Sequence, residues 1–519
     1  MSDGQPLEKR SKIGRKNPDD LTLSCIDRIC QNFHVTVELL ALAPGASKDI
    51  LEFLAAQAEL LLHLVKSFQK IPTSPICVVL KTCGSGLKVL SDLRSSVTMV
   101  NVTVKHLLML LLLVMESTCL NSHRDGLKDK EFENLAEISN VTLGLLPLLC
   151  HCIISAEHCT LSLTVVDLIL RSLLTPNTWF PIIQQYLQLR HVIQKLQDKT
   201  TFASIPIILK FFLTLARVRG GAEMLINAGF FSSLKVLFSE LLDAGPSFAV
   251  NNDKIPFNLP DKTEKLHQIW GLGMAVVAAM VHSLGDSFCT DIADNVIPYF
   301  FSEKAFLISY YLSSPDFRSD DHEKKRARAQ RTQASLTSLK ETEHTLMLMC
   351  VLAKHWGSWV KAMKEMDSQL RETSIHLLAF ISRGTQHVGE SASRTAPLLC
   401  PPVLKEELDW CNRPSVVNSK SGWFALTPLG SVSKTKSSSA SATTALVIRD
   451  QTTDSSLAVS QTYFSDAVAM QIYRITFLLL EFLCFQAKGA AERADEVGFV
   501  DLAHFPELPM PEILHGLQV

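Results

Sequence analysis

The fold class is decided by the stretch Gly221-Ala-Glu-Met-Leu-Ile-Asn-Ala-Gly229-Phe-Phe-Ser-Ser-Leu-Lys-Val-Leu237. Apolar residues recur on both sides of Gly229 at helical spacing, and a glycine at that position permits a tight turn. The stretch therefore predicts two helices joined by a short glycine turn, which is the unit that helical repeats use.

Helical periodicity continues on both sides of this stretch. One helix is predicted to begin at Ser204 with Pro206 in its first turn, and we expect Gly220-Gly221 to end it. An earlier helix is capped by Ser47, and a late helix is expected to end at Gly489. Each helix carries one apolar stripe. The stripe of the helix after Ser47 is Ile50, Leu51, Leu54, Ala58, Leu61, Leu62 and Val65, and that of the helix after Ser204 is Ile205, Ile208, Leu209, Phe212, Leu215 and Ala216. The stripe of the late helix is Ile472, Ile475, Leu479, Phe482 and Leu483.

Three further segments are apolar on almost every face, namely Leu107 to Met115, Val141 to Ile154 and Leu272 to Val281. Helices of this kind must be covered on two sides. A stack of helix pairs provides such cover, so we predict an all-α fold, an irregular armadillo/HEAT-like α-solenoid of stacked helix pairs. An irregular helical bundle stays open as an alternative, because no strict repeat period runs through the chain.

Composition divides the chain into segments of different character. In order, these are a polar basic tail (1–20), the first part of the solenoid (21–312), a polar linker (313–333), the second part of the solenoid (334–430) with an irregular loop (384–402), a Ser-rich insert predicted to be disordered (431–461), terminal helices (462–488) and an extended acidic, proline-containing tail (489–519).

The overall composition excludes several classes of protein. Of the 519 residues, 47% are hydrophobic and 20% charged, and 50 Lys and Arg residues nearly balance 52 Asp and Glu. No chain-wide field would therefore hold a nucleic acid. Thirteen cysteines between Cys25 and Cys484 stand in apolar runs and predict reduced core thiols in the cytosol or nucleus.

Membrane insertion is not expected from the apolar runs. The first 20 residues are polar and lack the core of a secretory signal. The run Leu107 to Met115 has nine apolar residues, about half of the roughly 20 that a spanning helix needs. We therefore predict no transmembrane segment.

Motifs for catalysis and for metal or nucleotide binding are weak. Cys83-Gly84-Ser85-Gly86 lacks the third glycine of a dinucleotide-binding motif, and we expect a turn between helices there. Cys150-His151-Cys152 and His158-Cys159 are possible zinc ligands, but adjacent helical positions diverge by about 100°. Cys152 and Cys159 are instead predicted to share one core stripe. We predict no enzyme, metal or cofactor; an enzyme that uses Cys83 or the Cys150 to Cys159 cluster stays as an alternative.

Four residues near the middle of the chain form an apolar helical face. Trp356, Trp359, Val360 and Met363 follow i, i+3, i+4, i+7 spacing. Packing in the core explains this face, and an exposed aromatic groove for a partner helix is the other interpretation. Trp356, Trp359 and Met363 are the predicted partner-binding residues, chosen from their chemistry alone.

Several segments together resemble a known family. They are Gly220-Gly-Ala-Glu-Met-Leu225, Ala353-Lys-His-Trp-Gly-Ser-Trp359, Gln471-Ile-Tyr-Arg-Ile-Thr-Phe-Leu-Leu-Leu-Glu-Phe-Leu483 and the acidic, proline-spaced tail. These segments resemble the C-terminal part of the large α-solenoid scaffold nucleoporins of the nuclear pore inner ring, of the nucleoporin 188 type. The resemblance covers roughly Leu21 to the end of the chain. Members of that family are far longer, so it implies a C-terminal fragment, an isoform or a partial product.

The resemblance implies a structural role at the nuclear envelope. Such a protein supports nucleocytoplasmic transport by binding helical segments of linker nucleoporins, and its partners are inner-ring and linker nucleoporins. It implies no direct contact with nucleic acid and a peripheral position at the membrane. Despite 26 Phe and 22 Gly the chain has no Phe-Gly dipeptide, which favours a scaffold over a barrier protein. A soluble helical-repeat adaptor or nuclear transport receptor is the alternative, because those proteins share stacked helices.

Overall fold

A computed structural model describes residues 18–42, 48–68, 71, 73–93, 98–122, 129–244, 260–285, 295–296, 298–303, 336–353 and 466–497. The elements formed by these residues are all helical, so the all-α prediction is confirmed for this part of the chain. The chain divides into two compact units, Met1–Lys195 and Leu196–Val519, which are described separately below.

The first unit contains α1 (Pro18–Leu42), α2 (Lys48–Lys66), α3 (Thr73–Asp92), α4 (Thr98–Ser122), α5 (Asp129–Ile154), α6 (Cys159–Ser172), α7 (Pro176–Tyr186) and α8 (Leu189–Gln194). The second contains α9 (Ile205–Ala216), α10 (Arg219–Asn227), α11 (Phe230–Ala244), α12 (Pro260–Leu284), α13 (Leu336–Ala353) and α14 (Asp466–Val497). Short 3-10 segments cover Lys195–Gln197 and Lys199–Ser204, and a π-helical turn covers Pro298–Glu303.

In the first unit, α4 is an inner helix. It packs against α2, α3 and α6, and its side chains Leu107, Leu108, Leu110 and Leu111 are fully buried. The neighbouring helix α3 packs in turn against α1, α4 and α5. These contacts confirm that the nearly all-apolar segment from Leu107 to Met115 is covered on more than one side.

Two helices of the first unit are long and apolar enough to span a membrane. The apolar windows are Thr98–Cys119 in α4 and Leu135–Ile154 in α5, and 50% and 44% of them are buried against other helices. In the second unit, α10 with the first part of α11 also qualifies if this pair, bent by 67°, is taken as one span. The nine apolar residues from Leu107 to Met115 are too few to span a membrane, but α4 continues on both sides of them with threonines and other residues, which lengthens the candidate span to Thr98–Cys119. The absence of a transmembrane segment stays a prediction.

The glycines of the Cys83-Gly84-Ser85-Gly86 motif lie inside α3, so the predicted turn between helices is wrong. A Cβ on Gly84 would lie 2.7 Å from Leu145 Cδ2 of α5, and one on Gly86 would lie 2.9 Å from Phe33 Cε1 of α1. Both glycines let neighbouring helices approach α3 closely. The contacts with those helices offset the low helix propensity of glycine.

In the second unit, α9 has the predicted apolar stripe, and all six of its residues are buried. Its end was predicted incorrectly, because α9 ends at Ala216 and Gly220-Gly221 lies within the first turn of α10. A Cβ on Gly221 would collide with the carbonyl oxygen of Leu215, so glycine allows α10 to fold back onto the end of α9. Gly229 has a φ of 84° and joins α10 to α11, which confirms the turn predicted there.

The core of the second unit is built around α12. This helix packs against α9 and α13, and α13 packs against α14. The predicted α14 stripe from Ile472 to Leu483 is buried. However, α14 continues past Gly489 to Val497, so the predicted helix end and the start of the extended tail at 489 are wrong.

Several predictions fall outside the described residues. These are most of the basic tail, the linker at 313–333, the loop at 384–402, the insert at 431–461, the tail beyond 497, and the residues Trp356, Trp359 and Met363. Helix α1 begins at Pro18, within the segment predicted as the tail.

Candidate functional site

A cleft in the second unit is a candidate site among the described residues. It has a volume of about 680 Å³ and is lined by side chains from α9, α12, α13 and α14 and by Arg217 just beyond α9. These elements lie far apart in the sequence, and their packing in one core brings them together.

The floor of the cleft is made by small residues of α12. Gly271, Ala275, Ala278 and Ala279 recur at helical spacing and line the cleft together with apolar side chains such as Met347. Small side chains on one helical face let another helix approach closely. Gly271 on this face already lies against α13, because a Cβ there would be 3.2 Å from Glu341 Cα, and Ala275 and Ala278 are each only 1% exposed.

Two contacts fix the arrangement of α13 and α14 along one side of the cleft. Arg474 Nε donates to Glu343 Oε1 at 2.9 Å, and Cys350 Sγ donates to the carbonyl oxygen of Leu478 at 3.2 Å. The paired residues follow the same order along both helices, so α13 and α14 run parallel. Polar residues from the first halves of the two helices therefore line the same part of the cleft. They are Lys340, Glu341, Glu343 and His344 of α13 and Gln471 and Arg474 of α14.

Burial sets the protonation of two groups in this part of the cleft. Burial raises the pKa of the Glu343 carboxyl, and Arg474, Lys340 and Gln471 oppose that change. Burial of the ring lowers the pKa of His344 to about 4; the cations Lys340, Arg474 and Arg217 lower it further, and the Gly271 backbone opposes them. His344 Nδ1 is buried although the ring as a whole is half-buried and reaches the cleft. The imidazole is therefore neutral near pH 7.

Gln471 is an unusual polar residue of the cleft wall. Its side chain is fully buried, and neither amide atom has a hydrogen-bond partner of ordinary geometry, although the amide is near enough to Glu343 to lower the pKa of that carboxyl. The amide therefore belongs to the packed contact between α13 and α14, where it lies against Glu343.

The charged side chains of the cleft are mixed in sign. The cations are Lys210, Arg217, Lys340 and Arg474, and the carboxylates are Glu341, Glu343 and Glu481. Apart from the neutral His344, the cations therefore exceed the carboxylates by one. Three of the four cations, Arg217, Lys340 and Arg474, lower the pKa of the same imidazole.

The side chains that could act as nucleophiles in the cleft are bonded to the backbone. Ser283 Oγ donates to the carbonyl oxygen of Ala216 at 2.6 Å, and Cys350 Sγ donates to Leu478. Across the part of the chain that the structure describes, no three His, Cys, Asp or Glu side chains are placed to hold a metal ion.

The cysteine and histidine cluster of the first unit lies in the helical core. Cys150, Cys152 and Cys159 are buried, and burial raises the pKa of Cys150 to about 12 and that of Cys152 to about 11. The core location is as predicted, but a shared stripe for Cys152 and Cys159 is wrong, because α5 ends at Ile154 and Cys159 begins α6. His158 is buried, and burial lowers its pKa. Thiols at these positions are poor nucleophiles.

Two cysteines differ from the general prediction of core thiols. Cys25 on α1 and Cys484 on α14 are exposed. Each stands in an apolar run of sequence, but the helix turns that position away from the buried stripe.

Sequence reasoning did not identify the residues of the cleft. The predicted binding residues Trp356, Trp359 and Met363 follow the end of α13 in the sequence and lie outside the described residues. The run Gly271-Leu-Gly-Met-Ala-Val-Val-Ala-Ala279 was available as a signal, because small residues at that spacing mark a face that another helix can approach. Gln471, at the start of an apolar stripe, was a second signal.

Comparisons with known proteins do not assign the chain to a family. No protein-family model matches it, and no curated protein matches it.

Proposed function

We propose that this chain is a structural scaffold subunit of the nuclear pore inner ring. In this proposal it is an irregular armadillo/HEAT-like α-solenoid that supports nucleocytoplasmic transport by holding helical segments of linker nucleoporins. The observation that carries the proposal is the cleft, whose lining combines apolar and charged side chains of α9, α12, α13 and α14, as a groove for an amphipathic helix does.

The described helices support the stacked arrangement. The glycine turn at Gly229 joins two short helices, as in a helical repeat, and α4 and α12 are inner helices with neighbours on more than one side. Such a fold offers long surfaces for partners and needs no cofactor to form them.

The family resemblance supports the specific assignment. The segment Gln471 to Leu483 that resembles scaffold nucleoporins lies in α14, and four of its residues line the cleft: Gln471, Arg474, Leu478 and Glu481. The segment Ala353 to Trp359 starts at the last residue of α13. Under this proposal the chain has no enzymatic activity and no cofactor, and it is peripheral to the nuclear envelope without direct contact to nucleic acid.

Capture from gently solubilised nuclear envelopes tests the proposal. The tagged chain should recover inner-ring and linker nucleoporins, identified by mass spectrometry. Ala279→Trp, which fills the floor of the cleft, should lose the linker nucleoporins. Ala56→Trp on the exposed face of α2 is the matched control and should keep them.

Two results would count against the proposal. Recovery of mixed soluble cargo in place of inner-ring proteins would favour a helical-repeat adaptor or transport receptor. Equal recovery of linker nucleoporins by Ala279→Trp and by the unmodified chain would show that the cleft is not their site.

A further inference from the structure

We propose that α14 binds a second copy of this chain. Two α14 helices pack antiparallel along one exposed face, which we name the outer seam and which consists of Tyr473, Phe477, Leu480 and Cys484. None of these four residues lines the cleft. The pairing therefore goes beyond the proposed function and does not depend on it.

The outer seam is an apolar surface in contact with solvent. Tyr473 is 48% exposed, Phe477 60% and Leu480 37%, and Cys484 is exposed as well. At 3.6 residues per turn, the outer seam lies on the side of α14 roughly opposite the buried stripe from Ile472 to Leu483. A helix that is apolar on two opposite faces must be covered on both, and α13 covers one of them.

The spacing of the outer seam indicates that a helix covers it. Its residues follow one another at steps of four, three and four, which is the a/d pattern of a coiled coil. The seam extends over about 16 Å of helix. Since a two-fold pair uses the same surface on both copies, a second α14 offers a seam of matching length and spacing.

Antiparallel pairing aligns the large side chains of the two copies. When Phe477 of one copy packs against Leu480 of the other, Tyr473 of the first lies level with Cys484 of the second. The two-fold axis then repeats both contacts, so each apolar residue of the outer seam has an apolar neighbour across the interface.

Charge favours this register over its neighbours. Arg474 and Glu481 each follow a seam residue directly, so both lie on the same flank of the seam. The register described brings Arg474 of each copy beside Glu481 of the other. A shift by one heptad would bring Glu481 beside Glu481 and Arg474 beside Lys488, which repel. Parallel helices would bring Glu481 beside Thr476, which carries no charge.

Arg474 can take part in this contact and keep its existing partner. Its Nε lies 2.9 Å from Glu343 Oε1, and its side chain is 52% exposed. A guanidinium has five N–H donors in a planar fork, so it can bond to two carboxylates at once. The pair with Glu343 holds Arg474 in place on the flank of the seam.

The molar mass of the full chain in solution tests the pairing. Four side chains per copy make a small interface, so light scattering is measured over a series of concentrations. The mass of the unmodified chain should rise from 57.5 kDa toward twice that value. Phe477→Glu should abolish this rise, because it places two carboxylates in the interface. Phe53→Glu is the matched control: Phe53 on α2 is 57% exposed, and this variant should still dimerise.

A cysteine cross-link tests the register. In the Tyr473→Cys variant, oxidation with diamide should link position 473 of one copy to Cys484 of the other, and mass spectrometry identifies the linked peptides. In this register the two native Cys484 residues are about 16 Å apart along the helices, which is too far for a disulfide. Circular dichroism checks that every variant is folded.

A mass of 57.5 kDa at every concentration would overturn the pairing and assign the outer seam to another segment of this chain or to a different protein. Dimerisation of Phe477→Glu equal to that of the unmodified chain would also overturn it. A direct link between two Cys484 residues, without a link from position 473 to Cys484, would show that the antiparallel arrangement is wrong.

Discussion

At the scale of single residues, glycines determine how closely the helices approach. Gly221 is buried against the end of α9, where a Cβ would meet the backbone oxygen of Leu215. Gly144 is exposed in the middle of α5, and a Cβ there would meet no atom within 4 Å. The same substitution therefore has opposite consequences at the two positions.

We expect Gly221→Ala to lower the free energy of unfolding of the second unit by about 1–3 kcal/mol, because a backbone atom cannot rotate away from the new methyl group. Gly144→Ala should stabilise the first unit by up to about 1 kcal/mol, since alanine restricts the unfolded chain and favours a helix. Urea unfolding of both variants measures these changes. Destabilisation by both, or by neither, would contradict the packing described here.

His344 makes the stability of the second unit depend on pH. Its pKa is about 4 in the folded chain and 6.5 in a model peptide, so folded and unfolded states are both neutral well above 6.5. As the pH falls through 6.5, the unfolded chain takes up a proton that the folded chain does not, and stability is lost until about pH 4. The loss is at most about 3 kcal/mol.

His344→Gln should reduce this loss of stability between about pH 7 and pH 4, because the amide does not titrate. Burial raises the pKa of Glu343, so protonation of that carboxyl favours the folded state as the pH falls and acts in the opposite direction. Glu343 is unchanged in the variant, and the comparison therefore isolates the histidine. Urea unfolding at several pH values, with exposed His34→Gln as the control, measures the difference. Identical pH profiles for His344→Gln and the unmodified chain would rule out the effect.

At the scale of helices, the apolar stripes could be predicted from sequence, and several ends could not. The α9 and α14 stripes follow helical spacing and are buried as expected. Gly84, Gly86, Gly221 and Gly489 were interpreted as breaks, yet all lie within helices. A glycine costs a helix about 1 kcal/mol relative to alanine, and contacts between helices, which sequence does not display, can exceed that amount.

The helices α4 and α5 provide a test of the peripheral position at the membrane. Because α2, α3 and α6 pack against α4, we expect its apolar surface to be used within the protein. Alkaline carbonate extraction of nuclear envelopes should then release the chain into the supernatant, whereas an integral envelope protein in the same sample stays in the pellet. Retention of the chain with the membrane would mean that Thr98–Cys119, Leu135–Ile154 or the bent pair of α10 and α11 spans it.

At the scale of the whole molecule, the all-α class could be predicted, and the cleft could not. Periodicity is a local property, so each helix is visible in its own segment of sequence. The cleft is lined by residues from Lys210 of α9 to Glu481 of α14, and no local sequence pattern shows that these helices meet. Residues such as Gln471 acquire their character only from that packing.

Fluorescence recovery after photobleaching of the tagged chain at the nuclear rim tests the central claim most directly. A scaffold subunit is held by many partners, so we predict a rim signal that recovers much more slowly than that of a transport receptor in the same cells. A diffuse signal, or recovery as fast as that of the receptor, would contradict the scaffold assignment.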